Sequence, residues 1–317
     1  AGRRVAFEDL VLWAGKAPGE AFEDVAGRFD TVVAGPHASA ALPEELRPFV
    51  APALTRRKQH DFSDEATGHL GRAWALADPR VVFVANPHAR AVLDPNRERP
   101  RDPSARLRGF FARLRRRRAG ERGVELPEAD AIRPVTFSGE DVLLDPGPGA
   151  WANLSDTLRR AAELGALAYA AALERVIVAV LAARRRGAPL MLISLHDTDD
   201  CKMRPDGALA VRRAAKDLMP SFVNFGNLGD LRGEGEAATA PAALLRRIAA
   251  AWAEAFGLGG RQDFLRPAAY AYQEPISFNR PYKGGHELRQ WAARLRGRCP
   301  PPCALLQVEF NRDVLLG

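Results

Sequence analysis

Two histidines that follow buried strand-like segments are the first residues of this chain that could bind a metal. The apolar segment Phe29–Gly35 leads into Pro36 and His37, and Pro189–Leu195 leads directly into His196. Ligands of open α/β sheets bind just beyond the carboxyl ends of such strands. Two histidines at one edge of a sheet therefore suggest a metal site. Taken alone, each histidine is at least as readily explained as a core residue that bonds a backbone carbonyl.

A carboxylate near the first histidine could be the third ligand. A catalytic zinc site needs three protein ligands, usually histidines with a carboxylate, and an open position for water. Asp61 and Asp64 stand at the start of a predicted helix, Glu65–Leu76. Either aspartate could instead cap that helix, and we weigh capping and ligation equally.

Glu309 is a candidate catalytic carboxylate because of its surroundings in the sequence. It lies within or at the end of the apolar run Ala304–Phe310, which is typical of a buried strand. Burying a glutamate there is costly unless it is paired or functional. An ion pair with a neighbouring arginine, for example Arg312, is the structural alternative.

The alternation of strand-like and helical segments predicts an α/β fold. The expected strands are Thr31–Ala34, Val81–Ala85, Leu190–Leu195, Ala271–Ile276 and Ala304–Phe310. We expect one domain over residues 1–317, with loop excursions at about 97–150 and 197–241. Long excursions in a compact domain are often functional.

Two longer helices are expected to flank the sheet. The clearer one runs from Asp156 to Arg186, with Ser155 or Asp156 as the N-cap and Gly187 as the stop. It leads directly into the strand that ends at His196 and should cover it. The second is Ala242–Phe256.

The formal net charge of +7 raises the possibility of nucleic-acid binding. The excess is local, however, and is concentrated in a predicted basic helix, Arg106–Arg118. Its apolar stripe is Leu107, Phe110, Phe111 and Leu114. We favour a surface helix whose stripe packs inward and whose arginines are solvated. Binding of a polyanion, or attraction of anionic substrates, is the alternative.

Cysteine usage and hydropathy indicate the compartment. Three cysteines do not make a disulfide framework, and Cys299 and Cys303 lack the two-residue spacing of zinc ribbons, so both are expected to be reduced thiols. No apolar stretch is expected to reach the roughly 20 residues that span a bilayer. The first residues lack the apolar region of a secretory signal. A cytoplasmic location without membrane contact is the default expectation.

Ordered short motifs resemble those of the N-formylglutamate amidohydrolases, from about Asp30 to Leu316. The matching segments are Pro36–Pro43, Asp64 with Leu70, Arg90–Arg97, Arg133–Gly139, Leu190–His196, Asn227–Asp230, Asn279–Gly285 and Gln307–Glu309. Arg90–Arg97 is the most specific of them. This chain departs from the family pattern at Ala38, Ala170 and Asp197. Those departures bear on the substrate more than on the fold.

The resemblance implies a fold similar to that of the zinc carboxypeptidases, with a central mixed, mostly parallel sheet flanked by helices. It implies that His37, Asp64 and His196 bind zinc or another divalent metal, which polarises the scissile carbonyl and activates water. Glu309 would take the water's proton and pass it to the leaving amine. Substrate carboxylates would be held by Arg90, Asn96 and Arg97, with Asn279 and the Gly284–Gly285 turn shaping the pocket.

The implied reaction is hydrolysis of an N-acyl amino acid, with N-formyl-L-glutamate as the first candidate. The expected partner is thus a small carboxylate-bearing substrate rather than nucleic acid. A different N-acyl amino acid or a peptide-like amide is one alternative. Non-enzymatic polyanion binding through Arg106–Arg118 is another, and it leaves the strand-end histidines unexplained. Pairing of Arg97 with Asp94 is the structural alternative to substrate binding.

Overall fold

The computed structural model describes residues 5–127, 130–137, 139–185, 187–199, 201–203, 210–212, 218–257, 275–297 and 303–315. The strands in these ranges are β1 Val11–Trp13, β2 Thr31–Gly35, β3 Val81–Ala85, β4 Leu190–Thr198, β5 Cys201–Met203, β6 Ala210–Arg212, β7 Val223–Gly226, β8 Ile276–Phe278 and β9 Cys303–Asn311. The helices are α1 Phe7–Leu10, α2 Phe22–Val25, α3 Arg56–Asp61, α4 Glu65–Ala77, α5 Pro103–Arg118, α6 Trp151–Leu164, α7 Ala166–Ala183, α8 Ala242–Ala255, α9 His286–Leu295 and α10 Arg312–Leu315. Short 3-10 turns add Ala26–Arg28, Glu44–Phe49 and Pro148–Ala150.

Seven of the strands form one mixed sheet in the order β1-β3-β2-β4-β9-β7-β8. The strands pair in parallel except at β1–β3 and β7–β9, which are antiparallel. The predicted α/β class with a mostly parallel sheet is therefore confirmed. The parallel strands β2, β4 and β9 are neighbours, so their carboxyl ends meet at one edge.

Alternating strand residues pack into two layers of core. Val32 of β2 and Leu192 of β4 lie on the face covered by α7 and α9, and their neighbours Val33 and Ile193 lie on the face covered by α4 and α8. Because both faces are buried, the strands are apolar throughout instead of alternating with polar residues. This explains why continuous apolar segments in the sequence marked β2, β3, β4 and β9.

The predicted strands agree with the structure to within a few residues where they can be compared. The end of β4 extends through His196 to Thr198, so the histidine lies within the strand. The expected strand Ala271–Ile276 falls mostly outside the described residues, and β8 begins at Ile276. The predicted excursion 197–241 contains β7, a strand of the main sheet, which the sequence reasoning missed.

The single helix expected over Asp156–Arg186 is wrong, because two helices occupy this region. Helix α6 begins at Trp151, upstream of the proposed caps, and ends at Leu164; α7 begins after Gly165. A Cβ atom on Gly165 would lie 2.1 Å from Nδ1 of His88. The close approach of the His88 ring thus requires glycine, and the backbone there leaves helical geometry (ψ −93°).

The segment Trp151–Ala183 is long and apolar enough, by length and composition, to cross a membrane, contrary to expectation. This is weak evidence, since core helices pass the same test. Residues of α7, including Leu173, Val176 and Ile177, are buried in the core against the sheet. Its hydropathy therefore has a structural reason within the fold.

The basic helix α5 follows the favoured interpretation of the Arg106–Arg118 segment. Its four apolar stripe residues are buried in a third core cluster together with α6. Several of its arginines form ion pairs: Arg106 with Asp130, Arg115 with Asp145, Arg116 with Glu121 and Arg118 with Asp141. Binding of polyanions by this helix, the less favoured alternative, stays untested.

Replacing Gly165 by alanine should destabilise the fold. The new methyl group meets the His88 ring, and overpacking of this kind costs about 1–3 kcal/mol of the free energy of unfolding. Gly109→Ala, in the exposed face of α5 with no atom within 4 Å of the added Cβ, is the matched control. It should be neutral or stabilising by up to about 1 kcal/mol. Urea unfolding measures both, and equal stability of the two variants would contradict the role given to Gly165.

Candidate metal centre

Three buried side chains converge at the carboxyl edge of the sheet. His37 lies two residues after the end of β2, His196 lies in β4, and Asp64 directly precedes α4. The Asp64 Oδ2 atom is 3.0 Å from Nδ1 of His37 and 3.0 Å from Nδ1 of His196, and the two Nδ1 atoms are 3.2 Å apart. Each residue is at most 4% exposed. The three predicted ligands thus form a group that could hold a metal ion.

Asp64 occupies the N-cap position of α4, but its side chain accepts no capping hydrogen bond. Its carboxylate instead turns towards the two histidines, and its backbone N–H donates to the carbonyl of His37. The geometry of Asp64 is therefore that expected of a metal ligand, and its side chain does not cap α4. Asp61 lies in α3.

Asp94 sets the orientation of the His37 ring. Its Oδ1 atom lies 2.7 Å from Nε2 of His37, and Arg90 donates two hydrogen bonds to its other oxygen. Because an ionised carboxylate only accepts, Nε2 of His37 carries a proton and Nδ1 points at the centre. A carboxylate behind a histidine in this way is a recurrent feature of metal sites.

Ser194 and Glu287 play the corresponding part behind His196. The Ser194 hydroxyl donates to Glu287 at 2.8 Å, and its oxygen is 3.1 Å from Nε2 of His196. Since its hydrogen is committed to Glu287, Ser194 can accept the proton of Nε2. The Asn96 amide is farther from Nε2, at 3.3 Å. The shorter contact favours the tautomer in which His196 Nδ1 offers its lone pair to the centre.

Electrostatics at the centre favour positive charge. Burial and Arg90 oppose protonation of His37, but Asp94 and Asp64 outweigh them and raise its pKa to about 9. Burial lowers the pKa of His196. A proton on His37 therefore offsets the negative charge of these carboxylates. A metal ion would replace that proton, because ligation requires the neutral imidazole.

Glu309 lies beside the centre and forms no ion pair within the part of the chain that the structure describes. In the pairing of β4 with β9, it stands opposite His196, and it lines the same cavity as the three candidate ligands. Its one hydrogen bond among the described residues comes from Gln307, at 3.1 Å. Burial, with the charges of Asp64 and Asp197, raises its pKa to about 8. The carboxylate is thus buried and faces the cavity.

The alternative ion pair of Glu309 with Arg312 is absent among the described residues. Arg312 binds Asp197 and Asp199 instead, and it donates to the backbone carbonyl of Ser63 at 2.7 Å. This ties the residues after His196 to the loop before α4. Burial nevertheless raises the pKa of Asp197 to about 8, in spite of Arg312. Asp197 and Asp199 are thereby paired with a cation, and Asp200 lies outside the described residues.

Arg90, Asn96 and Arg97 line the cavity around the centre but are tied down to different degrees. Arg90 is nearly buried and holds Asp94, while Asn96 accepts the backbone N–H of Glu287 at 3.0 Å. Arg97 approaches Asp94 only to 4.0 Å, and its Nε has no hydrogen-bond partner among the described residues. Of the three, Arg97 is the residue available to a ligand.

A sequence profile of the N-formylglutamate amidohydrolases matches residues 29–316. The chain belongs to this family of amidohydrolases. Its membership confirms the resemblance found in the short motifs. The family match also supports its classification as a hydrolase.

Two solved structures share the fold. One is the N-formylglutamate amidohydrolase of Ralstonia eutropha JMP134, with 15% identity, a TM-score of 0.50, and coverage of 95% of this chain and 84% of the other. A gene product of Agrobacterium tumefaciens has 14% identity and a TM-score of 0.50, covering 93% and 85% of the two chains. At such identities the likeness establishes the fold alone. No sequence among curated proteins matches this chain.

Asn279 lies away from the cavity, in contrast to the substrate-binding position expected for it. Its side chain accepts the backbone N–H of Asn227 at 2.9 Å and donates to the Asp230 carbonyl at 2.6 Å. Its φ of +54° places it in the left-handed region, which asparagine tolerates better than most residues. Asn279 therefore fixes a turn and is absent from the cavity lining. The Gly284–Gly285 turn does line the cavity, as expected.

Glu287 is the main residue of the site that sequence reasoning missed. It is 5% exposed and accepts hydrogen bonds from Ser194 and Tyr169. The available signal was its place in α9, where it shares a helical face with Trp291 and Leu295 at spacings of four and eight. A carboxylate on an apolar helical face requires buried partners.

Ser194→Ala should weaken metal binding, because it removes the acceptor for Nε2 of His196. Loss of such an outer contact typically lowers metal affinity about 10- to 100-fold. Zinc affinity is measured by competition with a chromophoric chelator. Ser221→Ala is the matched control, since Ser221 is a fully buried serine that bonds Val223 and Ser277. Equal zinc affinities of the two variants would remove Ser194 from the site.

Proposed function

We propose that this chain is a metal-dependent amidohydrolase that cleaves an N-acyl amino acid, with N-formyl-L-glutamate as the first candidate substrate. The single observation that carries the proposal is the convergence of His37 Nδ1, His196 Nδ1 and Asp64 Oδ2 beside Glu309 in one cavity. Family membership supplies the reaction class. The substrate and the metal are the proposed parts.

The donor set fits zinc or a similar divalent ion. Two imidazole nitrogens and one carboxylate oxygen are the ligand types of catalytic zinc sites, with a position left for water. Metal–ligand bonds of about 2.0–2.2 Å in a tetrahedron would separate the ligand atoms by about 3.3–3.6 Å. The observed separations of 3.0–3.2 Å need only a small expansion to reach that geometry. When bound, such an ion supplies Lewis-acid polarisation of the scissile carbonyl and activates water.

Glu309 is the proposed proton carrier. It is buried, faces the cavity and forms no ion pair within the described residues, so its carboxylate is free to exchange protons with water and substrate. It would accept the proton of the attacking water and deliver it to the nitrogen of the leaving amine. Gln307 holds the carboxylate in place by donating to Oε2.

Arg97 is the proposed clamp for a substrate carboxylate. Its guanidinium offers planar, paired donors that match a carboxylate. Arg90 supports the centre indirectly, because both of its hydrogen bonds go to Asp94, behind His37. A carboxylate held at Arg97 would keep the N-acyl bond next to the centre.

The direct test is release of formate from N-formyl-L-glutamate by purified protein, before and after chelation. We expect activity with about one zinc per chain, its loss after dialysis against a chelator, and its return on adding zinc. A panel of other N-acyl amino acids distinguishes the acyl-group alternatives. Chelator-insensitive activity in a protein that lacks stoichiometric metal would refute the proposal.

Glu309→Gln should abolish most turnover while leaving the fold and zinc content intact. General acid–base groups typically contribute about 10²- to 10⁴-fold to the rate, so kcat should fall by that order. The near-isosteric amide keeps the packing in β9. Near-normal kcat would exclude Glu309 from proton transfer, and zinc analysis of the same sample separates loss of metal from loss of catalysis.

Arg97→Ala should lower kcat/KM for N-formyl-L-glutamate by about 10- to 100-fold, since a charge-assisted hydrogen bond contributes about 1.5–3 kcal/mol. The free energy of unfolding should change little, because the Arg97 side chain is 33% exposed and its nearest carboxylate oxygen is 4.0 Å away. Arg115→Ala, an exposed arginine of α5 outside the cavity lining, is the control. A matching loss in both variants would contradict a specific role for Arg97.

A further inference from the structure

The cavity above the metal centre is larger than the proposed small substrate requires. Its volume is about 1360 Å³, and it extends from the centre to α5 and to the residues at the start of α9. Pockets that enclose a drug-sized ligand usually measure about 300–1,000 Å³. N-formylglutamate would occupy a small part of this space.

The outer wall of the cavity is strongly cationic. We define it by the exposed charged residues of its lining: Glu98, Arg99, Arg101, Asp102, Arg106, Arg113, Lys283 and Arg289. Two of them have local partners, since Asp102 caps α5 and Arg106 pairs with Asp130. The remaining carboxylate is Glu98, and the five remaining cations are Arg99, Arg101, Arg113, Lys283 and Arg289. None of these five pairs with a carboxylate in the described part of the chain.

Pairing of the α5 arginines with carboxylates does not follow position alone, since Arg106 lines the cavity and pairs with Asp130, whereas Arg108 and Arg117 lie outside the lining and have no carboxylate partner among the described residues. Arg115, Arg116 and Arg118, which are outside the cavity lining, each pair with a carboxylate. Arg113 lines the cavity and has no such partner among the described residues. Like charges left unneutralised around a concave surface attract anions. The outer wall therefore has the charge distribution of a binding surface for an anion.

Gly109 leaves room for a ligand between two of these arginines. It is at helical spacings of three and four from Arg106 and Arg113, so the three residues share the face of α5 that lines the cavity. A Cβ atom on Gly109 would meet nothing within 4 Å. Glycine inside a helix costs about 1 kcal/mol relative to alanine. The position thus exposes backbone to the cavity where a larger side chain would narrow it.

We propose that the outer wall binds the acidic extension of a longer substrate, an N-acylated peptide with carboxylates beyond its first residue. The inference rests on the proposed function, because the N-acyl bond is placed at the metal centre. Hydrolysis adds water across the C–N bond and yields the free acid and a peptide amine. The peptide then extends outward along Arg99, Arg101 and Arg113. Carboxylates spaced along a chain match cations spaced along a wall.

The test compares two substrates of equal length, N-formyl-Glu-Glu-Glu and N-formyl-Glu-Gln-Gln, with N-formylglutamate as the reference. We expect kcat/KM to be about tenfold higher for the acidic peptide, because several exposed ion pairs, each contributing a factor of about two to five, act together. The preference should shrink as ionic strength rises from about 0.1 M to about 1 M, where the Debye length falls from about 10 Å to about 3 Å.

Variants at two positions of α5 test whether the preference comes from the outer wall. Arg113→Glu should lower the ratio of kcat/KM between the acidic and neutral peptides at least threefold, and Gly109→Glu should lower it more than Gly109→Gln. Arg117→Glu is the matched control: it makes the same charge change on α5, outside the cavity lining, and should preserve the ratio. Equal kcat/KM for the two peptides, or an identical ratio in Arg113→Glu and the wild type, would overturn the proposal.

The affinity for triglutamate, the same acidic peptide without its N-formyl group, is measured by calorimetry. This measurement separates the proposed binding surface from the proposed hydrolysis. Suppose that no N-formyl substrate is cleaved, but triglutamate binds and its affinity depends on salt and on Arg113. The proposed binding surface would then be supported, and the proposed hydrolytic reaction would be refuted. A different result would refute the outer wall and leave the reaction supported: N-formylglutamate is cleaved, but triglutamate does not bind and N-formyl-Glu-Glu-Glu is cleaved no better than N-formyl-Glu-Gln-Gln.

Discussion

The structure depends on three hydrogen-bond acceptors held close together in a buried site. His37 Nδ1, His196 Nδ1 and Asp64 Oδ2 lie within 3.2 Å of one another, although acceptors repel when nothing positive lies between them. Around them, Asp94 and Ser194 accept from the opposite nitrogens of the two rings and so keep both Nδ1 atoms facing inward. A shared proton or a metal ion satisfies this arrangement, and the rest of the site is organised around that requirement.

The sheet provides the geometry that forces the convergence. Because β2, β4 and β9 are adjacent and parallel, their carboxyl ends bring His37, His196 and Glu309 to one edge, while α4 places Asp64 across from them. The buried layers on both faces fix the register, since a one-residue slip would exchange the residues facing each layer. Arg312 then ties the end of β4 to the loop before α4 through Asp197 and Ser63. The paired strands and these few polar contacts hold the ligands in place.

Much of this could be predicted from the sequence, and the exceptions have physical reasons. Strands that are buried on both faces are continuous apolar segments in the sequence, so β2, β3, β4 and β9 could be predicted. The polar residues that follow or end such segments, His37 and His196 among them, marked the candidate ligands. Short β7 carries no comparable signal. The break at Gly165 depends on His88, 77 positions earlier in the chain, and no local pattern encodes that contact. Glu287 and Ser194 matter through tertiary hydrogen bonds, and Asn279 belongs to a segment that resembles a family motif but in this chain shapes a turn.

Anomalous X-ray diffraction at the zinc absorption edge, on crystals of protein loaded with zinc, tests the central claim most directly. The account predicts one strong anomalous peak at bonding distance, about 2.0–2.2 Å, from His37 Nδ1, His196 Nδ1 and Asp64 Oδ2. It also predicts that both rings keep the orientation set by Asp94 and Ser194. A zinc-loaded crystal with no peak at this position, or with zinc bound through Nε2 of either histidine, would contradict it.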